Sequence, residues 1–294
     1  MRLISAKTIL GLSALLLTAA CTDEQVENPA DGARPIAFTP AAETRAAVDG
    51  SSLPSSSSFR VWGWYGTGND INKNVFNNPF ETVMESNGSW GYTGGTQYWI
   101  PGMTYNFYGV YPASVTASVT NDGIITVEGF DCSKAVDLMT ATATDLSGDD
   151  ARTVAMQFKH ELARVKVSVE SNGATVDGLK VYGVGYKGNF NSGYTLKWTV
   201  TETAAEESTP LSGETAQDML LLPATDLTNA KLKVTYHYGS DASATRTDEA
   251  SLAIAGGWTA GQQYHYKVSI VAGKLTITVK VVDWNEEDTS VSWG

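Results

Sequence analysis

The clearest alternation of hydrophobic and polar positions lies just past the middle of the chain. From Phe158 to Leu162 every second residue is suited to a core, which is the period of a half-buried strand. From Val165 to Val169 the valines alternate as well, but on the opposite phase. A slip of one residue turns every side chain to the other face, so Ala163-Arg164 is expected to hold a bulge, a bend or a crossing between sheets.

Alternation elsewhere predicts many more strands, separated by glycine-rich turns. The chain has 13 tyrosines, 8 tryptophans and 28 glycines, a composition that favours strands and turns. No convincing amphipathic helix follows residue 25, so we predict an all-β fold. The predicted strands are Phe59–Tyr65, Tyr105–Tyr111, Ile124–Val127, Ala135–Thr140, Lys180–Val184, Tyr194–Val200, Met219–Leu222, Lys231–Tyr238, Ser251–Ile254, Tyr264–Val271 and Leu275–Val282.

One aromatic pattern occurs in both halves of the chain. The spacing W-x2-G-x2-Y-x-[FY] begins at Trp99 and again at Trp258, with all four positions offset by 159 residues. The glycine supplies a tight turn, and the aromatic residues at i and i+2 pack on one face of a sheet. Two similar β-domains in tandem account for this repeat, and about seven short strands in each half suit a β-sandwich.

The amino terminus has the pattern of a secretion signal. Basic residues precede the apolar run Ile9–Leu17, which is too short to span a bilayer, and small residues follow it. We therefore predict a signal peptide over residues 1–20. Cys21 comes next, which is similar to a bacterial lipoprotein signal, where the mature chain begins with a diacylated cysteine. An ordinary signal peptide cut near Ala20 is the alternative.

A polar, turn-rich tether follows this cysteine and contains one short strand. Ile36-Ala37-Phe38-Thr39 reads as that strand. Arg45 stands after it among small residues, ahead of the loop Asp49–Ser58, where a trypsin-like protease reaches the bond before Ala46 easily. The alternative is a solvated arginine in a linker.

The charge and the cysteine content exclude two classes of protein. The formal net charge is −12 and no basic patch offsets it, which opposes nucleic-acid phosphates. With Cys21 assigned to lipid, Cys132 has no partner within the chain. The protein is therefore not a disulfide scaffold, and Cys132 is interpreted as a small core or loop residue.

No catalytic residue, cofactor or metal site is expected from the motifs. His160 shares the strand phase of its neighbours, which indicates a hydrogen-bonded core histidine, and His237 and His265 lie between aromatic residues without a partner at metal-ligand spacing. The adjacent carboxylates at Glu206-Glu207 and Glu286–Asp288 read as solvated faces rather than a calcium site.

The tryptophans offer a second interpretation of the chain, as a glycan-binding surface lipoprotein. Most of them fall in strand or corner patterns that predict burial. The sequence around Trp90 and Trp198 predicts burial less strongly, so these two residues are the candidates for sugar stacking.

Taken together, the chain resembles the fimbrillin family, the type V pilins of Gram-negative anaerobes, and most closely its Mfa-like branch. The similarity spans essentially the whole chain and depends on the order and spacing of modest motifs. The residues that carry it are Cys21, the Arg45 segment, Asp137-Leu138-Met139, Phe158 with His160 and Leu162-Ala163-Arg164-Val165, Trp258 with Gly261, Tyr264 and Tyr266, and the last strand Leu275–Trp284.

This resemblance implies two tandem transthyretin-like β-sandwiches, over residues 46–155 and 156–294. The precursor would be an outer-membrane lipoprotein carrying palmitate or a similar acyl chain on Cys21. A surface protease would cut it after Arg45, so that Ala46 becomes the first residue. Residues 21–45, the tether and first strand, would then be lost.

The resemblance also implies how subunits assemble. Removal of Ile36–Thr39 empties a groove that accepts a strand from a neighbouring pilin subunit, and repetition builds a fimbria. The donor strand is carboxy-terminal in this family. In this chain, Val291 and Trp293 are the candidate residues that would fill the pockets of the next subunit. The expected partners are other pilin subunits, the outer membrane through the lipid, and a receptor on a host or bacterial surface. Stalk, tip and anchor roles all stay open.

Overall fold

The computed structural model describes residues 32–42, 53, 58–76, 80–84, 90–92, 95–214, 216–271 and 274–284. In the unit from Arg34 onward these residues form strands β1–β20 and two short 3₁₀ turns, which confirms the predicted all-β fold. The strands before residue 161 are β1 (Phe38–Ala42), β2 (Ser58–Thr67), β3 (Asp70–Asn74), β4 (Phe80–Met84), β5 (Trp90–Tyr92), β6 (Thr104–Tyr111), β7 (Ala117–Val119), β8 (Ile125–Asp131), β9 (Met139–Ser147) and β10 (Val154–His160).

The remaining strands belong to the second half of the chain. They are β11 (Ala163–Glu170), β12 (Ala174–Tyr182), β13 (Gly185–Asn191), β14 (Trp198–Thr203), β15 (Ser212–Gly213), β16 (Ala216–Leu221), β17 (Lys231–Tyr238), β18 (Arg246–Ser251), β19 (Gln262–Val271) and β20 (Lys274–Asp283).

The first half is built on one large sheet, in the order β1-β10-β9-β6-β2-β4-β5, with β3 paired to β2. Its strands run antiparallel except for β1, which runs parallel to β10. Alternate residues of β2 are buried from Phe59 to Gly63, as a period of two predicts, and β6 is buried on both faces from Phe107 to Val110. Phe59 and Phe107 join Phe38 and Phe158 at the centre of an aromatic cluster.

The second half forms a sandwich of two four-stranded sheets. One sheet has the order β16-β11-β19-β20, and the other has the order β15-β12-β17-β18. Valines of β11 and tyrosines of β19 share one hydrophobic cluster with the buried residues of β12 and β17. The inner faces of the two sheets therefore make a common core, as in other aligned sandwiches.

A further sheet contains strands from both halves. Its order is β14-β13-β8-β7, so that β8 of the first half pairs with β13 of the second. Phe130 of β8 is buried in the same cluster as Phe190 of β13. The two halves thus share backbone hydrogen bonds and a core, and the predicted domains over 46–155 and 156–294 stay a prediction.

The chain passes from the large sheet of the first half to the sandwich of the second half at the point where the hydrophobic phase slips. β10 ends at His160 and β11 begins at Ala163, in a different sheet. Glu161, Leu162 and Ala163 are all buried, which is why one alternating pattern cannot cover the stretch. The predicted crossing is confirmed, although it lies about two residues earlier than Ala163-Arg164.

Among the described residues, no helical segment has the length and apolar character that a membrane span requires. The same ranges contain no group of three or more histidine, cysteine or acidic side chains arranged to hold a metal ion.

Candidate functional site

The segment predicted as the first strand lies at one edge of the first sheet. Regular pairing begins at Phe38, which is opposite Val154 of β10. The amide of Val154 donates a hydrogen bond to the carbonyl of Ala37 over 2.7 Å. Phe38 and Thr39 therefore belong to the strand, whereas Ile36 and Ala37 precede it.

Ahead of β1 the same segment pairs with a second piece of backbone. The amide of Ile36 donates to the carbonyl of Gln97 over 2.8 Å, and the amide of Trp99 donates to the carbonyl of Arg34 over 2.9 Å. The segment therefore lies between two backbone partners, β10 on one side and residues 97–99 on the other. Its removal leaves the backbone groups of both partners without their hydrogen bonds.

Two side chains of this segment fill the core of the first half. Ile36 is 2% exposed and Phe38 is 4% exposed. The Phe38 ring makes edge contacts with the rings of Phe107, 5.1 Å away, and Tyr92, 6.0 Å away. The Tyr92 hydroxyl also donates to the carbonyl of Ile36 over 3.0 Å. Without the segment, the side chains that contact it would line an apolar groove.

Arg34 holds the beginning of the segment to the loop after β9 by hydrogen bonds, a role that the sequence did not indicate. Its guanidinium donates to the carbonyl of Asp149 over 3.0 Å and to that of Gly148 over 3.1 Å. The amide of Gly102 in turn donates to the Asp149 carboxylate over 3.1 Å. An arginine in a polar linker has no periodic signal, so only the fold reveals these contacts.

The repeated aromatic pattern forms the same corner twice. The hydroxyl of Tyr105 accepts a hydrogen bond from the amide of Ile100 over 2.8 Å. The hydroxyl of Tyr264 accepts one from the amide of Thr259, the equivalent position, over 2.7 Å. The glycine of each corner has a φ of 75°, which is the left-handed region that glycine adopts without strain. The first of these corners packs beside the Arg34–Ala42 segment.

A buried carboxylate occupies the crossing between the two halves. Glu161 is 2% exposed, and its side chain accepts hydrogen bonds from the Thr140 hydroxyl over 2.6 Å and from the Lys197 ammonium over 3.0 and 3.1 Å. The indole of Trp198 donates to the Glu161 carbonyl over 2.7 Å. These partners satisfy both the charge and the backbone at the crossing.

His160 is largely buried at the same crossing, with 13% of its side chain exposed, and acts as a packing residue there. Its Nδ1 lies 2.7 Å from a carboxylate oxygen of Asp137. Its ring stacks on that of Trp284 with 4.2 Å between centroids and 12° between planes. This is the hydrogen-bonded core histidine that the strand phase predicted.

The other side chains considered for chemistry are also tied to specific neighbours. Nδ1 of His237 lies 2.9 Å from the Asp177 carboxylate, and Nε2 of His265 lies 2.8 Å from the Ser168 hydroxyl. Cys132 is buried, and burial raises the pKa of its thiol to about 12. A thiol that stays protonated in this way is a packing residue rather than a nucleophile.

The two tryptophans singled out for sugar stacking have different surroundings. Trp90 packs on Phe59, with ring centroids 5.2 Å apart. Trp198 packs on Phe190 at the same distance, and it also lines a cleft of about 510 Å³ beside the exposed Leu196. The cleft is largely apolar, and the indole N–H of Trp198 is already used within the fold.

The remaining predicted site residues lie outside the described ranges. They are the lipidation residue Cys21, the processing residues Arg45 and Ala46, and the donor residues Val291 and Trp293. Their roles stay predictions.

The structure is thus that of an all-β protein in which the segment before and including β1 pairs with an edge of the first sheet and fills part of its core. A family model described as fimbrillin-like matches residues 44–284. The chain therefore belongs to the fimbrillin-like family, as the sequence motifs indicated.

Solved structures agree at the level of the fold. A proposed cell adhesion protein from Bacteroides uniformis is 19% identical, with a TM-score of 0.59 over 87% of this chain and 100% of that one. A fimbrial protein from Bacteroides vulgatus is 16% identical, with a TM-score of 0.58 over 86% of this chain and 100% of that one. No curated protein matched the sequence.

Proposed function

We propose that this protein is a structural and adhesive subunit of a surface fimbria, exported as a lipoprotein anchored through Cys21 and polymerised by strand exchange. Cleavage after Arg45 detaches the first segment from the rest of the chain, and a strand from a neighbouring subunit replaces it. The proposal includes no catalytic residue and no cofactor. Its location is the outer membrane as a precursor and the fimbria after processing.

The observation that supports this proposal most is the packing of Arg34–Ala42. Its strand β1 lies at the end of a sheet rather than in the middle, so departure of the segment leaves the order of the other strands intact. It also places two large apolar side chains in the core of the first half, Ile36 and Phe38. An edge strand that fills core pockets is the arrangement that β-augmentation replaces.

The energetics require a close replacement. Burial of each of the two side chains contributes roughly 1.5–3 kcal/mol, and each backbone hydrogen bond adds about 1 kcal/mol net. An open groove is therefore a costly state, exposed to water and to other chains. The incoming strand must fill the two pockets of Ile36 and Phe38 with side chains of suitable size and must present an unpaired backbone between them.

The source of the incoming strand distinguishes the roles within a fimbria. A stalk subunit donates its carboxy-terminal segment, where Val291 and Trp293 would fill the two pockets of the next subunit. A tip or accessory subunit accepts a strand without donating one. An anchor subunit keeps Cys21 and its lipid.

Limited proteolysis of the purified precursor tests the proposal. We expect low-dose trypsin to yield a chain that begins at Ala46, and the products to form filaments by electron microscopy and SDS-resistant ladders on gels. The control is the Arg45→Gln variant, which should stay intact at this bond and monomeric.

A synthetic peptide of residues 34–42 extends the test to a subunit that accepts without donating. The cleaved protein, freed from its first segment, should bind this peptide and be stabilised by it. A protein cut after Arg45 that neither polymerises nor binds the peptide would reject strand exchange.

Glycan binding is the second candidate function, and the cleft beside Trp198 is the observation that favours it. A glycan array tests it with the variants Trp198→Ala and Trp90→Ala. Saturable binding lost in Trp198→Ala supports a lectin-like role, and binding unchanged in both variants contradicts this site.

A further inference from the structure

The two tryptophans of the repeated corner differ in one hydrogen bond. In the second half, Nε1 of Trp258 donates to the hydroxyl of Tyr266 over 2.9 Å, and that hydroxyl donates to the carbonyl of Leu252 over 2.7 Å. In the first half, Trp99 is just as deeply buried, at 4% exposure. Yet no group in the described part of the chain accepts a hydrogen bond from its Nε1.

The sequence repeat identifies the missing partner. The position of Tyr266 is held in the first half by Phe107, which has no hydroxyl. The Phe107 ring is present, 6.1 Å from the Trp99 ring and nearly perpendicular to it. A buried donor without an acceptor is unfavourable in any protein interior, so native structures rarely leave one. The first half therefore contains a buried indole N–H without an acceptor, whereas the equivalent N–H in the second half is hydrogen-bonded.

Trp99 pairs through its backbone with the segment that strand exchange would replace. The amide of Trp99 donates to the carbonyl of Arg34, and the amide of Ile36 donates to the carbonyl of Gln97, on either side of one antiparallel bridge. Residues two apart on such a pair share a face, so Ile36 and Trp99 both point inward at diagonal positions. They belong to the same hydrophobic cluster. The side chain of Ile36 is hydrocarbon only, so it offers no hydrogen-bond acceptor to the indole.

We propose that Trp99 is a specificity-determining residue of the groove. It favours an incoming strand with a hydrogen-bond acceptor, such as a threonine hydroxyl, at the position that Ile36 occupies in the resident strand. This inference rests on the proposed strand exchange. Because the resident strand leaves the indole N–H unsatisfied and a suitable neighbour's strand satisfies it, the hydrogen bond biases exchange away from the precursor's own strand.

Two peptides and three receptors test this role. The peptides comprise residues 34–42 with Ile36→Val or with Ile36→Thr, which have nearly the same shape and differ by a methyl group against a hydroxyl. The receptors are the protein cleaved after Arg45 and freed from its first segment, as wild type, Trp99→Phe and Phe107→Tyr. The dissociation constants are measured by competition with a fluorescent peptide.

The expected result is a difference between receptors in the preference for threonine over valine. In wild type this preference should be about 5- to 10-fold greater than in Trp99→Phe, as expected for one net hydrogen bond. In Phe107→Tyr the new hydroxyl takes the indole N–H, as Tyr266 does for Trp258. The preference should then fall to the Trp99→Phe value although Trp99 is still present, which a mere packing role would not produce.

The failures of the two proposals are distinguishable. If both peptides bind and the threonine-to-valine ratio is equal in all three receptors, Trp99 has no role in specificity while strand exchange stands. If neither peptide binds wild type, this role is rejected, and strand exchange is rejected with it when the cleaved protein also fails to polymerise. Should Trp99→Phe fail to fold, the comparison of wild type with Phe107→Tyr decides alone.

Discussion

A carboxylate oxygen of Glu161 lies 3.0 Å from the ammonium nitrogen of Lys197, at the point where the chain passes from the first sheet to the second sandwich. The Glu161 side chain is almost completely buried, whereas that of Lys197 is partly exposed. Lys197 immediately precedes β14, so the ion pair ties the connection between β13 and β14 to the crossing. It joins parts of the chain that no local pattern relates.

Removal of the cation from this pair should destabilise the whole fold. We expect Lys197→Met to lower the free energy of unfolding by about 1–3 kcal/mol, since it leaves the Glu161 carboxylate buried with only the Thr140 hydroxyl, and the partial exposure of Lys197 moderates the loss. Urea unfolding at pH 7 measures this change. The control is Arg152→Met, which breaks an exposed pair with Asp150 and should cost less than about 0.5 kcal/mol. Equal losses in the two variants would contradict a structural role for the crossing pair.

The first strand should contribute strongly to the stability of the uncleaved protein. We expect Phe38→Ala to cost about 3–5 kcal/mol, because it empties a pocket walled by Phe107 and Tyr92. Thr39→Ala, on the exposed face of the same strand, should change stability by less than about 0.5 kcal/mol. Thermal unfolding of the precursor compares the two. A melting temperature for Phe38→Ala that equals that of Thr39→Ala would show that the strand is not part of the core.

Two glycines at strand irregularities should respond differently to a methyl group. A Cβ at Gly66 would lie 1.7 Å from the carbonyl oxygen of Asp70, whereas a Cβ at Gly178 would approach no atom closer than 3.9 Å. We therefore expect Gly66→Ala to destabilise the fold by more than about 2 kcal/mol through forced backbone movement. Gly178→Ala should be neutral within about 1 kcal/mol, since it only reduces the freedom of the unfolded chain. Denaturant midpoints measure both, and similar midpoints would contradict the close packing at Gly66.

Stability should fall in alkaline solution. Burial raises the pKa of the Cys132 thiol from 9.0 to about 12, and burial likewise raises that of the Tyr266 hydroxyl from 10.0 to about 12. The unfolded chain releases the thiol proton above pH 9 and the hydroxyl proton above pH 10, while the folded chain retains both, so the stability that these groups contribute is lost as the pH rises from 9 towards 12. At pH 10 the cysteine accounts for roughly 1 kcal/mol of this loss.

Urea unfolding at pH 8 and pH 10 tests the alkaline prediction. The variant Cys132→Ala should lose less stability between the two pH values than wild type does. An equal loss would show that the thiol is not held protonated by the fold.

Local periodicity was sufficient for much of the fold. The alternation in Lys231–Tyr238 predicted β17 with its observed bounds, and the aromatic repeat predicted two equivalent corners. It failed where a strand lacks a buried face. β18 is Arg246–Ser251, a polar edge strand, whereas the apolar residues at Ser251–Ile254 had suggested a strand further along. The pattern at Ala135–Thr140 predicts a strand throughout, but β9 begins at Met139, after a left-handed residue at Ala135.

Long-range pairing was beyond the reach of sequence patterns. The hydrogen bonds between β8 and β13 join the two predicted halves, and neither strand carries a local signal for its partner. The contacts of Arg34 and the buried pair of Glu161 and Lys197 arise in the same way, from residues distant in sequence. The unsatisfied N–H of Trp99 does have a sequence signal. Phe107 stands where the second corner has Tyr266, so the hydroxyl that accepts the indole hydrogen bond is missing from the first corner.

The amino terminus of the protein isolated from surface fimbriae tests the central claim most directly. Our account predicts a chain that begins at Ala46, because cleavage after Arg45 must precede the replacement of the first strand. A chain in assembled fimbriae that begins at a lipidated Cys21, with residues 34–42 still attached, would contradict it. Mass spectrometry of the amino-terminal peptide distinguishes these two results.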